Sequence, residues 1–173
     1  HAAEWKVDPA KIIVCGSSAA GHLACSLGVF WDNELVYDAI GRTPAQIRPD
    51  GLILCYPVIT GGEYAHVNSF KRLLGDDVTQ EQRDAVSLEN FVTEQTPRAF
   101  IWHTYTDENV PVENSLLLAA AMKRKNVNFE LHIYPTGGHG LSLADEETAG
   151  NGFQVVEQCQ SWIPLVKMWL KHL

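Results

Sequence analysis

The chain has 173 residues, 46% of them hydrophobic and 20% charged, with a formal net charge of -8. That balance fits one globular domain and argues against disorder. An acidic chain without a basic run is a poor partner for nucleic acid or an anionic membrane, and no run of about 18 apolar residues offers a membrane span.

The opening HAAEWKVDP lacks the apolar stretch of a signal peptide. AAEWKV reads as the end of a helix, closed by Asp8-Pro9 because proline cannot continue it. Lys11 to Gly16 (KIIVCG) is a short apolar, β-branched run and predicts a buried strand. AAGHLACSLGVFW predicts the helix after it, and residues 32–48 a connection that is partly helical. Gly51 to Pro57 (GLILCYP) predicts a second buried strand. Residues 58–97 read as a long excursion with two short helices, SFKRLLG and TQEQRDAVS. The second has Thr79 as N-cap and Gln82 three residues on. Arg98 to Tyr105 predicts a third strand, VENSLLLAAAMKRKN a helix with Pro111 at its start, and Phe129 to Pro135 a fourth strand. Phe153 to Leu173 predicts a closing helix bent near Pro164. Strands alternating with helices predict an α/β fold, a mostly parallel sheet flanked by helices.

Sites in such sheets form beyond the C-terminal ends of strands. Three of those ends carry reactive residues. Gly16-Ser17-Ser18-Ala19, between a strand and a helix, has the context of a nucleophile elbow. Ser18 lies two residues past Gly16 and is the candidate nucleophile, with Ser17 the rival. The Ala19 N–H, at the helix start, is a candidate oxyanion donor. Asp107 follows the third strand, where a carboxylate can hold one histidine tautomer. Turn capping is the alternative role for that aspartate, and Glu108 is the fallback acid. His139 stands on a glycine-rich loop (GGHG), free to swing towards a neighbouring strand end, and suits general-base work. His22, on the elbow helix, reads as structural, and His103 and His132 lie within strands. The chain order Ser, Asp, His is that of α/β-hydrolases. Cys15, Cys25, Cys55 and Cys159 have neither a CxxC partner nor a metal-like spacing. They read as buried free thiols of a reducing compartment, which points to the cytoplasm.

The segments VCGSSAAGHLACSLG, LCYPVIT, TDENVPVENSLLLAAAMKRKNVNFELHIYPTGGHGLSLA and WIPLVKMWL resemble the α/β-hydrolase esterases related to acetyl-xylan and feruloyl esterases and the prolyl-oligopeptidase-like group. Such families read G-x-S-A-G-G-H-L-A at the elbow. This chain keeps Ser18, Ala19, Gly21, His22, Leu23 and Ala24 and departs at Ala20. The resemblance implies a serine hydrolase of short-chain acyl esters, of small molecules or carbohydrates such as xylan oligosaccharides. Ser18 would attack, His139 accept its proton, Asp107 stabilise the imidazolium and Ala19 N–H hold the oxyanion. No metal or organic cofactor is implied. A prolyl-oligopeptidase-like peptidase and an inactive fragment are the alternatives. The family fold has strands ahead of the elbow, with a loop that gives a second oxyanion donor. Residues 1–173 are therefore expected to be a single, N-terminally truncated domain, the C-terminal half of the sheet. The elbow strand is expected to have an unpaired apolar edge, covered by a homodimer partner or by the missing N-terminal segment.

Overall fold

Four apolar runs become four parallel strands, paired in chain order β1-β2-β3-β4. The structure, a computed structural model, describes residues 1–150 and 152–173. The elements are α1 (Ala2–Trp5), β1 (Ile13–Ser17), α2 (Ala19–Phe30), α3 (Glu34–Ala39), α4 (Pro44–Ile47), β2 (Gly51–Cys55), α5 (Val67–Leu74) and α6 (Gln80–Asp84). A 3-10 turn at Leu88–Asn90 leads to β3 (Ala99–Thr104), α7 (Glu113–Arg124) and β4 (Phe129–Tyr134). A second 3-10 turn (Gly152–Gln154) precedes α8 (Glu157–Gln160) and α9 (Trp162–Lys171).

The sheet is covered on both faces, and successive side chains of each strand point to opposite faces. Leu52, Leu54, Ala99 and Ile101 pack on one side, with Ala24, Cys25 and Val29 of α2 and Leu118 and Met122 of α7. Ile53, Cys55, Phe100 and Trp102 point the other way, onto Trp162, Val166 and Trp169 of α9. Every residue of β2 and β3 is buried. That is why β2 and the first four residues of β3 read as continuous apolar runs rather than as alternating ones. Among the described residues β1 pairs only with β2, and it forms one edge of the sheet.

The closing segment differs from the single helix expected over Phe153–Leu173. Helix α8 ends at Gln160, Ser161 intervenes, and α9 starts at Trp162. Pro164 accounts for the break: it has no N–H to give Gln160 O, and its ring crowds that carbonyl. In the first turn of α9 the missing N–H costs nothing. The cysteine expectation also needs correction: Cys25, Cys55 and Cys159 are buried, but Cys15 is exposed. Cys15 lies on an edge strand, and the thiol of Cys55 beside it lowers its pKa to about 7.

Candidate active site

The parallel register brings the C-terminal ends of the strands to one side of the molecule. Ser17 lies level with Cys55, and Cys55 with Trp102. Just past β1 the chain turns sharply into α2. Ser18 takes φ 55, ψ -124 at this turn, backbone that side chains adopt only under constraint. Its own backbone supplies the constraint: Ser18 N–H donates to Cys55 O at 3.0 Å, and Ser18 O accepts from Val58 N at 3.0 Å. Gly16 makes the turn possible, because a Cβ there would lie 2.1 Å from Ala20 O. Gly16→Ala is expected to cost about 3 kcal/mol, a fall in Tm of roughly 6–12 °C. A thermal melt within 2 °C of the parent would contradict this account of the elbow. Ala20, where the resemblance breaks, is exposed, so its methyl meets solvent rather than the turn. Ala19 is the first residue of α2, and the N–H of a first helical residue has no partner within the helix.

After β4 the chain enters the loop that carries His139. Gly137 (φ 144) and Gly140 (φ 79) adopt backbone that favours glycine. They shape the loop without leaving it free to swing. Thr104 and Thr106 hydroxyls both donate to Gly137 O, at 2.9 and 3.0 Å. Ser142 N donates to the Tyr56 hydroxyl at 3.0 Å, and the Trp162 indole donates to Ser142 O at 3.0 Å. The Tyr56 ring stands edge-on to the imidazole of His139, centroids 5.2 Å apart.

This geometry joins Ser18, His139 and Asp107 in one hydrogen-bonded row. The Ser18 hydroxyl lies 2.7 Å from His139 Nε2, and His139 Nδ1 lies 2.6 Å from Asp107 Oδ2. Asp107 also caps its own turn, with Oδ1 accepting from Asn109 N at 3.0 Å and Val110 N at 2.9 Å. The two roles considered for this residue are therefore compatible, one on each carboxylate oxygen. Burial would raise the Asp107 pKa. Hydrogen bonds from His103, His139 and the Val110 N–H, with the charge of His139, outweigh it and hold the carboxyl well below the usual carboxylate range.

His103 is the participant that sequence reasoning passed over. It is fully buried in β3. Its Nε2 lies 3.2 Å from Asp107 Oδ2 and 2.9 Å from Val110 O. Both partners only accept, so Nε2 carries the hydrogen. Nδ1 lies 2.8 Å from the Ser115 hydroxyl. Oδ2 of Asp107 thus takes donors from two histidines. The only signal in the sequence was a spacing, His103-x-x-x-Asp107 across a strand end.

The other candidates lie elsewhere. Ser17 places its hydroxyl by Tyr56, and Glu108 is exposed. His22 bonds Val86 O at 2.9 Å, tying the 58–97 excursion to the elbow helix. His132 pairs with Glu130 at 2.7 Å. Among the described residues, no group of three or more His, Cys, Asp and Glu side chains is placed to hold a metal ion.

A parallel sheet with a strained serine turn after its first strand, a carboxylate after its third and a histidine loop after its fourth belongs to the α/β-hydrolase class. Within that class the BD-FAE family model matches residues 1–122, and the chain belongs to that family. It is 42% identical over 151 residues to endo-1,4-beta-xylanase B of Butyrivibrio fibrisolvens, covering 85% of this chain and 23% of that protein. Among solved structures it is similar to the acetyl ester-xyloside bifunctional hydrolase of Caldicellulosiruptor lactoaceticus, with 39% identity and a TM-score of 0.73. That match covers 95% of this chain and 60% of the other. It is also similar to a carboxylesterase of Lactobacillus plantarum WCFS1, with 29% identity, a TM-score of 0.84 and coverage of 99% and 62%. The chain thus spans less than two thirds of each of these proteins.

Proposed function

We propose that this chain is a serine esterase that removes short acyl groups of the acetyl type, with carbohydrate esters such as acetylated xylo-oligosaccharides as its substrates. The observation that carries the reading is the row Ser18 Oγ, His139 Nε2, His139 Nδ1, Asp107 Oδ2, with spacings of 2.7 and 2.6 Å. His139 takes the Ser18 proton as Oγ attacks the ester carbonyl, and Asp107 stabilises the imidazolium. Ala19 N–H, pre-aimed at the helix start, donates to the oxyanion. His139 then protonates the departing alcohol, and water releases the acid by the same steps in reverse. The sugar substrate is supported by the similarity to the acetyl ester-xyloside bifunctional hydrolase. A cytoplasmic location is part of the proposal and is supported by four free cysteines, three of them buried. The test is acetate release from acetylated xylo-oligosaccharides and from p-nitrophenyl acetate, with Ser18→Ala as control. Release equal to the control on both substrates sinks the reading.

His103 acts in this scheme as a positioning residue. Its N–H bonds the same Oδ2 that accepts from His139 and so helps to hold the carboxylate in line. His103→Phe is expected to lower kcat on the order of 10²-fold, the cost of a misplaced catalytic group, with KM little changed. His103→Gln keeps a donor and should recover most of the loss. Equal losses in both variants, or a loss confined to KM, would count against the role.

A further inference from the structure

Two neighbouring polar residues, Asn114 and Ser115, stand in the first turn of α7, and both are fully buried. A polar side chain removed from water needs partners, and theirs lead in opposite directions. Asn114 Oδ1 accepts from Ile59 N at 2.8 Å and Thr60 N at 3.0 Å, while its NH₂ donates to Pro111 O at 3.0 Å. One residue before Ile59, Val58 N donates to Ser18 O. Asn114 therefore fastens the start of α7 to the segment that holds the elbow. Ser115 leads to the acid instead. Its hydroxyl lies 2.8 Å from His103 Nδ1.

The direction of that bond follows from the far side of the ring. His103 Nε2 faces two acceptors and carries the hydrogen. A neutral imidazole has one N–H, so Nδ1 accepts and the Ser115 hydroxyl donates. The hydrogen on Nε2 is shared unequally: Val110 O, at 2.9 Å, is nearer than Asp107 Oδ2, at 3.2 Å. A ring free to tilt would settle on the nearer acceptor and release Oδ2. Ser115 holds the other ring nitrogen and prevents the tilt. Oδ2 thus keeps its second donor while it accepts from His139 Nδ1 at 2.6 Å.

We infer that Ser115 is a further positioning residue of the Ser18, His139, Asp107 row, acting through His103 on the Asp107 carboxylate from a helix turn that Asn114 ties to the nucleophile's own segment. The inference rests on the esterase reading above and deepens it. Ser115 reaches the row through His103, so its removal acts on the chemical step rather than on substrate binding. Ser115→Ala is expected to lower kcat roughly tenfold, one step short of the factor for a misplaced catalytic group itself, with KM little changed. The variant should fold, because it deletes one hydroxyl and leaves the Asn114 bonds in place.

The experiment measures p-nitrophenyl acetate hydrolysis by the parent, Ser115→Ala, His103→Phe, the double variant and Ser18→Ala. Alongside it, the ring nitrogen shifts of His139 are recorded by NMR in the parent and in Ser115→Ala. Action through His103 predicts that adding Ser115→Ala to His103→Phe brings no further loss of kcat. It also predicts a displaced His139 Nδ1 signal in Ser115→Ala, although the Ser115 hydroxyl bonds His103 and not His139. A pair that only satisfies itself in the core would leave both kcat and the His139 signals of Ser115→Ala at their parent values. That result would overturn the inference and leave the esterase standing. The same kcat factor for Ser115→Ala with and without His103 would overturn it too. If the parent turns over no ester above Ser18→Ala, the esterase reading fails and the His139 signals decide. A displaced Nδ1 in Ser115→Ala would then support the relay from Ser115 to Asp107, and an unmoved one would overturn it.

Discussion

Ser18→Ala is expected to lower kcat for p-nitrophenyl acetate by a factor on the order of 10⁴–10⁶. The size follows from how the row is built. His139 Nε2 faces the Ser18 hydroxyl at 2.7 Å, and among the described residues no second hydroxyl or thiol bonds it. Ser17 is the neighbour that could substitute, but its hydroxyl lies by Tyr56. With Ser18 gone, what remains is binding and the oxyanion donor. Folding should survive, because the contacts that hold the turn come from the Ser18 backbone. Initial rates, with circular dichroism to confirm the fold, would check this. A variant retaining more than a hundredth of the parent rate would mean that the attacking group is not Ser18.

Asp107→Asn should cost on the order of 10⁴ in kcat, and it should also change how the protein responds to acid. An asparagine has one acceptor oxygen where the carboxylate has two. If that oxygen stays with the N–H groups of Asn109 and Val110, the amide NH₂ is thrust at two histidine N–H donors. His139 must then flip tautomer, and Nε2 carries a hydrogen where it should accept one from Ser18. The acid response follows from the depressed Asp107 pKa. The ionised carboxylate stabilises the folded state at any pH above its unfolded value, ~3.9. That stabilisation is lost as pH falls through the lower folded value. The parent should therefore lose stability between about pH 4 and pH 2 along a slope that Asp107→Asn lacks. Urea midpoints measured at pH 6, 4 and 3 would show it. Parallel losses in the two proteins would mean that the Asp107 hydrogen bonds do not favour its ionised form.

The sheet was legible in the sequence because burial on both faces leaves β2 and β3 with apolar runs, 51–56 after Asp50 for the one and 99–102 after Arg98 for the other. The α6 start was legible because its capping box is local: Thr79 and Gln82 bond one another's backbone. Ser18, Asp107 and His139 stood out because each follows a strand and each has a residue type with few other uses there. What could not be read is whatever depends on facing across space. His103 sits between Trp102 and Thr104 in a buried strand, and nothing local distinguishes a core histidine from one that grips Asp107. Asn114 looked like one more polar helix residue. In the fold its side chain accepts from Ile59 N and Thr60 N and donates to Tyr64 O and Pro111 O, which pins the start of the excursion. Likewise α5 packs near α2, although α3, α4 and β2 separate the two helices in the chain.

Neighbouring strands in this sheet are also consecutive in the chain, and this gives the molecule an order of assembly in time. As the polypeptide emerges from a ribosome, each new strand can dock on the one made before it. The proposed base, His139, lies 121 residues after the proposed nucleophile, Ser18, about 6–24 s behind at ~5–20 residues per second. Through that interval the nascent chain carries a strained serine with no partner. The proposed triad is thus completed in one step, when the His139 loop closes over strands β1 to β4.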